Sequence, residues 1–451
     1  MNTGITIVVA LALGCAASRA HSQDLGIKAP PQRRAVLIRG AELHVGDGRV
    51  LRDTSLWFDA GRIAGLGADE RGAAADAEAI DGRGLQLWPG LIDAASLLGL
   101  NEIGSIGATA DFDEIGDLTP EAIAATAVNP DATTLPVARS NGVLVVGVFP
   151  QGGGIAGHAS VIQLDGWTSE DLAVKRVAGL VVEWPELPRR EARAARPAQD
   201  GLRARALAAR AAIDRAFREA RAWLDARAAD PRVAHDLRSA ALEPALARQV
   251  PVFLRARGGE AIRSGLAWAN GLGLRCVLVG GEGAQECLEL IAQRAEGVIV
   301  GGTHRLPAHP DEPYDAPFTL PTRLAAAGIA FCIAGDGSHS NARNLPYHAA
   351  TAIAFGLARD AAERAITSSA ATLLGVGDEL GTLAVGRRAT LILVDGDPLE
   401  LTSRVVAAWI DGRRIDLANK QTQLAEKYRE KYRQLGIWPE PVVPADTPTR
   451  R

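Results

Sequence analysis

The sequence predicts an α/β fold: a (β/α)8, TIM-like barrel with a small β-sandwich domain formed by the N- and C-terminal segments. Three observations predict it. Short apolar runs recur through the middle of the chain, and helix-forming text follows most of them. That alternation builds a parallel barrel. Strand text broken by turn residues lies near both ends, at 34–80 and again at 389–413. Distant segments therefore meet in one further sheet. The chain has 451 residues, room for one large barrel and a small domain.

The elements follow in order. Ala35-Val36-Leu37-Ile38-Arg39-Gly40 is a first strand, and Gly46-Asp47-Gly48 and Asp59-Ala60-Gly61-Arg62 are turns. Eight runs are barrel-strand candidates: 87–92, 143–148, 160–164, 179–182, 252–254, 276–279, 298–300 and 329–333. Residues 101–137 form a long acidic connection with Asp111, Asp113, Glu114 and Asp117. It reads as a solvated lid loop, with a cage for a hard cation as the alternative. Residues 187–227 are Ala- and Arg-rich helix text whose charges face solvent. After the returning strands, 419–435 reads as a charged helix and 439–451 as a frayed tail. The divisions are a signal peptide over 1–22, a composite sheet domain over 35–86 and 380–416, the barrel over 87–379, and a C-terminal helix and tail over 417–451.

Composition narrows the partners. Hydrophobic residues make up 47% and charged residues 23%, as in soluble globular proteins. A net charge of −4 leaves no footprint for nucleic acid. Cys276, Cys287 and Cys332 lack C-x-x-C spacing and read as buried, inert thiols. The apolar run Ile5 to Leu13, followed by Ser18-Arg19-Ala20, reads as an export signal cleaved after Ala20. Cys15 after Leu13-Gly14 offers lipid anchoring as the alternative. No later segment is long and apolar enough to span a bilayer. Export to a bacterial periplasm is the expectation, and self-association into a homo-oligomer stays open.

Trp88-Pro89-Gly90-Leu91-Ile92-Asp93-Ala94-Ala95-Ser96-Leu97-Leu98-Gly99-Leu100 resembles the first barrel strand of the amidohydrolase superfamily. Gly381-Thr382-Leu383-Ala384-Val385-Gly386-Arg387-Arg388-Ala389-Thr390-Leu391 resembles its returning strand, with Thr390 where the family has aspartate. Asn129-Pro130-Asp131, Gly152-Gly153-Gly154-Ile155-Ala156-Gly157-His158 and Gln163-Leu164-Asp165-Gly166-Trp167 resemble an exported, imidazolonepropionase-like branch. The resemblance implies the barrel with its composite domain, and hydrolysis of carbon–nitrogen bonds other than peptide bonds. It also implies zinc held by histidines of strands one, five and six and an aspartate of strand eight. Such a metal makes hydroxide from water near neutral pH.

Matched position by position, this sequence departs from that set. Ala95 and Leu97 replace the strand-one histidines, so the expected metal ligands are none and the expected cofactor is none. Arg255 stands at the strand-five histidine, and strand six ends in Gly280-Gly281-Glu282-Gly283 without an imidazole. Asp336 matches the strand-eight aspartate and is the candidate catalytic residue, with a loop-structuring aspartate as the other reading. Glu183, His304, His339 and Arg343, with Arg255, are candidate ligand-binding residues. Arg255 is expected to pair with Asp336, Glu183 or both, supplying fixed positive charge where the family holds a dication. Three readings follow. The first is a barrel that binds a small polar or amide-bearing molecule with weak or no turnover. The second is an active C–N hydrolase rebuilt around Asp336, and the third a structural subunit with a vestigial pocket.

Overall fold

The structure is a computed structural model that describes residue 24 and residues 26–188, 196–308, 312–335 and 337–437, side chains of 196–198 excepted. The expected signal peptide with Cys15, the candidate Asp336 and the tail after residue 437 lie outside the described residues.

The chain starts with an antiparallel meander of β1 (Val36–His44), β2 (Val50–Asp59) and β3 (Arg62–Gly67). The turn between β2 and β3 takes Ala60 and Gly61 to φ +46° and +78°. Two left-handed residues match the twist of a tight hairpin. β4 (Glu78–Asp81) and β5 (Gln86–Pro89) pair in parallel with opposite halves of β1, on either side of Gly40.

The first barrel-strand candidate is divided at Gly90. Leu87 and Trp88 stay with the small sheet, and β6 (Leu91–Ser96) opens the barrel. A Cβ at Gly90 would sit 2.9 Å from Leu144, so the two sheets approach here as only glycine allows. The barrel continues with β7 (Val143–Val148), β8 (Ile155–Gln163), β9 (Ala173–Glu183) and β10 (Val252–Ala256). It ends with β11 (Cys276–Gly280), β12 (Gly297–Val300) and β13 (Phe331–Ile333). The sheet order is the sequence order, β6 to β13.

One expectation is corrected. The eight strands are not all parallel: β8 runs antiparallel to both β7 and β9. Residues 149–154 are too few for a crossover helix and include Gly152, Gly153 and Gly154, so the chain reverses in a hairpin.

Short helices α1 (Ala124–Ala127) and α2 (Thr134–Arg139) precede β7, and α3 (Ser169–Leu172) precedes β9. α4 (Arg196–Ala229) and α5 (Leu237–Leu246) cross from β9 to β10. α6 (Gly259–Gly271), α7 (Leu288–Arg294) and α8 (Ala316–Ala326) separate the later strands. α9 (Leu345–Ala354), α10 (Arg359–Ala365) and α11 (Ser368–Leu373) follow β13. Each strand buries one face inside the barrel, as with Val145, Val181, Phe253 and Ile299. The other face packs under the helices, as with Val146, Leu180, Leu254 and Val298. Burial on both sides explains why the strands read as unbroken apolar runs.

The chain then returns to the small sheet as β14 (Leu391–Val394), β15 (Val405–Ile410) and β16 (Arg413–Arg414), with β14 antiparallel to β5. Among the described residues its strands form one hydrogen-bonded path, β16-β15-β14-β5-β1-β2-β3 with β4 also beside β1, built from both ends of the chain as expected. Phe58 and Trp409 meet edge to face at 5.7 Å and join its two sequence halves. α12 (Lys420–Gln434) ends the described chain, its side chains exposed as expected.

A charge network lies at the amino-terminal end of the barrel strands. Arg139 is held by Asp165 at 3.4 Å and Asp24 at 3.5 Å, and donates to the Leu164 carbonyl at 3.0 Å. Arg413 of β16 reaches Asp165 at 2.6 Å, and Lys28 reaches Asp24 at 3.2 Å and the Pro130 carbonyl at 3.1 Å. The network ties the segment at 24–29, the barrel and the small sheet together.

Candidate active site

The carboxyl ends of the barrel strands enclose a cavity of about 710 Å³. β6 contributes Ala95 and Ser96, with Leu97 next in the chain. β9 contributes Glu183, β10 Arg255, and the following loops Arg257, Glu282 and Gly335. These are the ends where barrels of this kind place chemistry.

Arg255 and Glu183 are register partners on neighbouring parallel strands, so their side chains leave the sheet on the same face. The Arg255 guanidinium donates to the Glu183 carboxylate and, at 3.1 Å, to the Pro150 carbonyl. It also lies 5.6 Å from the centre of the Phe149 ring. The pair is half-buried, with side-chain exposures of 19% for Arg255 and 32% for Glu183. Glu186, just beyond β9, accepts from the backbone N–H groups of Arg257 and Gly258 at 2.8 and 3.2 Å. That bond holds the loop after β10 in place.

Asp93 was not anticipated. It sits in β6, 1% exposed, and its carboxylate accepts from the Gly335 N–H at 2.9 Å. β6 and β13 are the two ends of the barrel sheet. A buried carboxylate therefore bridges the seam and fixes the chain one residue before Asp336. The signal was an acid inside an otherwise apolar strand.

No family model matches the sequence. An amidohydrolase from Thermotoga maritima superposes with a TM-score of 0.75 at 22% identity, covering 84% of this chain and 99% of that one. The chain has the amidohydrolase fold. A prolidase solved with N-methylphosphonate-L-proline superposes with a TM-score of 0.52 at 18% identity, over 85% of this chain and 99% of that one. An amidohydrolase of Hapsidospora irregularis is 33% identical over 85 residues, 19% of this chain. That match spans only 9% of the relative's length.

The amidohydrolase fold implies a metal, and the donors at the strand ends can be tested against it. Ala95 and Leu97 offer no lone pair. No imidazole lines the cavity among the described residues, and a Glu183 oxygen is engaged by Arg255. Among the described residues, no group of three or more His, Cys, Asp or Glu is placed to share an ion. The donors among the described residues do not fit zinc.

The remaining candidates separate. His304 and Arg343 do not line this cavity. They line another of about 720 Å³, beside α9 and the loop before β7. His304 Nε2 is 2.8 Å from Thr351 Oγ1, and its ring lies 4.2 Å from that of His348. Arg343 donates to Gln421 at 2.8 Å, and its carbonyl accepts from Asn141 at 2.6 Å. His339 is half-buried and does not line the cavity with Arg255. The reason is local: β13 is three residues long, and the chain after it turns outward into α9. Asp111, Asp113, Glu114 and Asp117 of the acidic connection face solvent, and the segment bridges to β8 at Leu118–Ile155 and Ile123–His158. Among the described residues Cys276, Cys287 and Cys332 are free and buried; burial pushes the Cys276 thiol up to about 12 and raises Cys287 and Cys332 as well.

Arg257 and Glu282 also line the cavity and were passed over. Arg257 lies two residues after Arg255, the spacing that keeps two side chains on one face of a strand. Glu282 lies two residues beyond β11, among the glycines of Gly280-Gly281-Glu282-Gly283.

Proposed function

We propose that this chain is an exported barrel that binds a small polar, amide-bearing molecule and has lost metal-dependent turnover. One observation carries the reading: the Arg255–Glu183 pair stands at the strand ends where the fold's hydrolases hold their metal, beside Ala95 and Leu97. A guanidinium bonded to the nearest carboxylate supplies positive charge without a Lewis acid. It also opposes entry of a dication, because like charges repel strongly in a partly desolvated site. The cavity is of small-molecule size, with an apolar floor of Val279 and Ile299 and polar groups around it.

Zinc loading followed by metal analysis of the purified full chain tests the reading. The expected result is far less than one zinc per chain, together with a melting-temperature rise from small amides in the presence of chelator. Stoichiometric zinc, with hydrolysis of a C–N bond abolished by chelator, would favour the working hydrolase built around Asp336. Export is checked separately by N-terminal sequencing of protein from the periplasmic fraction. The expected first residue is His21.

A further inference from the structure

We infer that the ligand of this cavity carries a protonated nitrogen, an amine or guanidine, which Glu282 receives. The inference rests on the small-ligand reading above and names the ligand's chemical class.

Each acidic side chain that lines the cavity among the described residues has a definable situation. Glu183 is neutralised by Arg255. Glu186 is tied to two backbone N–H groups. Glu282 differs: its Oε2 is shielded from solvent and has no hydrogen-bond partner. The carboxylate folds back over the end of β11. A Cβ on Gly280 would lie 3.2 Å from that oxygen, and Gly280 has φ +91°. Glycine thus makes the space the carboxylate fills, inside the cavity wall.

A shielded carboxylate oxygen without a donor is costly, and natural structures keep few of them. Arg257 lies on the adjoining loop, its carbonyl 2.7 Å from the Gly283 N–H, yet its guanidinium makes no ion pair with Glu282. The neighbouring cation is therefore left for something else, and so is the carboxylate. A water molecule would leave the negative charge unbalanced next to Val279 and Ile299. A metal ion needs several oxygen donors, and the apolar floor supplies none. A protonated nitrogen needs only the one carboxylate, with its alkyl part on Val279 and Ile299.

The test uses the full chain and four-carbon probes: n-butylamine, butylguanidine, butyramide and butyrate, titrated calorimetrically against wild type and Glu282→Gln in chelator. The expected result is binding of the two cations, weakened about tenfold or more in E282Q. Ligand-free E282Q is expected to melt no lower than wild type, because a neutral amide replaces an unpaired charge. Cations that bind E282Q as well as wild type, or butyrate that outcompetes butylamine on wild type, would overturn the inference. Butyramide binding with no preference for the cations would overturn it too, while leaving the small-ligand reading standing. If no probe binds, both fall. An E282Q chain that does not fold also overturns it, by making Glu282 a structural group.

Discussion

The two ends of the barrel treat charge in opposite ways. At the amino-terminal end, Arg139 and Asp165 are each 2% exposed and Lys28 3% exposed at the side chain, and every one of them has charged and backbone partners. At the carboxyl-terminal end, Arg255 and Glu183 are only half-buried. There Glu282 keeps an unpartnered oxygen. The first end uses its charges up internally and binds three parts of the chain together. The second leaves charge unanswered around open space. Barrels separate stability from function in this way, with the chemistry kept at the carboxyl ends of the strands.

The largest expected effect lies at the closed end. Asp165→Ala leaves two guanidinium groups, Arg139 and Arg413, without their shared buried carboxylate. The expected cost is about 3–5 kcal/mol of unfolding free energy, read by urea denaturation. Arg255→Ala, at the open end, is expected to cost about 1 kcal/mol, because its ion pair is partly solvated. Equal losses in the two variants would erase the contrast between the ends.

A second experiment sharpens what the open end has become. Restoring Ala95→His and Leu97→His together puts two imidazoles on β6 and leaves Arg255 in place. This double variant is expected to take up little zinc. Adding Arg255→His is expected to tighten zinc binding by on the order of tenfold or more, because it removes a cation and frees Glu183. Tight zinc in the double variant would show that the guanidinium does not keep a dication out.

Much of this architecture was legible, for definite reasons. Strands buried on both faces are short apolar runs, and each of the eight candidates overlaps a barrel strand, although Leu87 and Trp88 belong to the strand just before and the runs at 160–164 and 329–333 overshoot theirs by one and two residues. Strand direction was not legible, because an apolar run reads the same either way. Gly152-Gly153-Gly154 is legible as turn text, but its consequence for the direction of β8 is not. Arg255 and Glu183 emerged from one exchange at a matched position, and register then made them neighbours. Arg257, Glu282 and Asp93 carry no motif in the sequence; they matter through burial and partners that only three dimensions supply. His304 and His339 are sequence candidates through closeness to strand ends, and neither that closeness nor the loop that carries Arg343 fixes where a side chain points: His304 and Arg343 line the cavity beside α9 instead.

The smallest expected effect concerns the wall between the two ends. His158 of β8 is 3% exposed; its Nε2–H donates to the Ala241 carbonyl at 2.9 Å, and its Nδ1 is buried without a partner. Burial holds its pKa below the ordinary histidine value, because a charged ring would lose more hydration here than the backbone carbonyls around it return. The sign follows from linkage. Below about pH 6.5 the unfolded chain takes up a proton at this residue, while the folded chain does not until lower pH. Stability is therefore present above that pH and is lost as pH falls from there towards the depressed folded value. Below the folded value both states are protonated and the loss stops. His158→Gln keeps a donor for the Ala241 carbonyl and removes the titration. Its unfolding free energy, measured from pH 7 down to pH 5, is expected to fall less steeply than that of wild type. The difference in slope is at most about 1.4 kcal/mol per pH unit, one proton's worth. Carboxylates elsewhere contribute to both curves alike, so parallel curves would mean that His158 takes up its proton in the folded wall as readily as in the open chain.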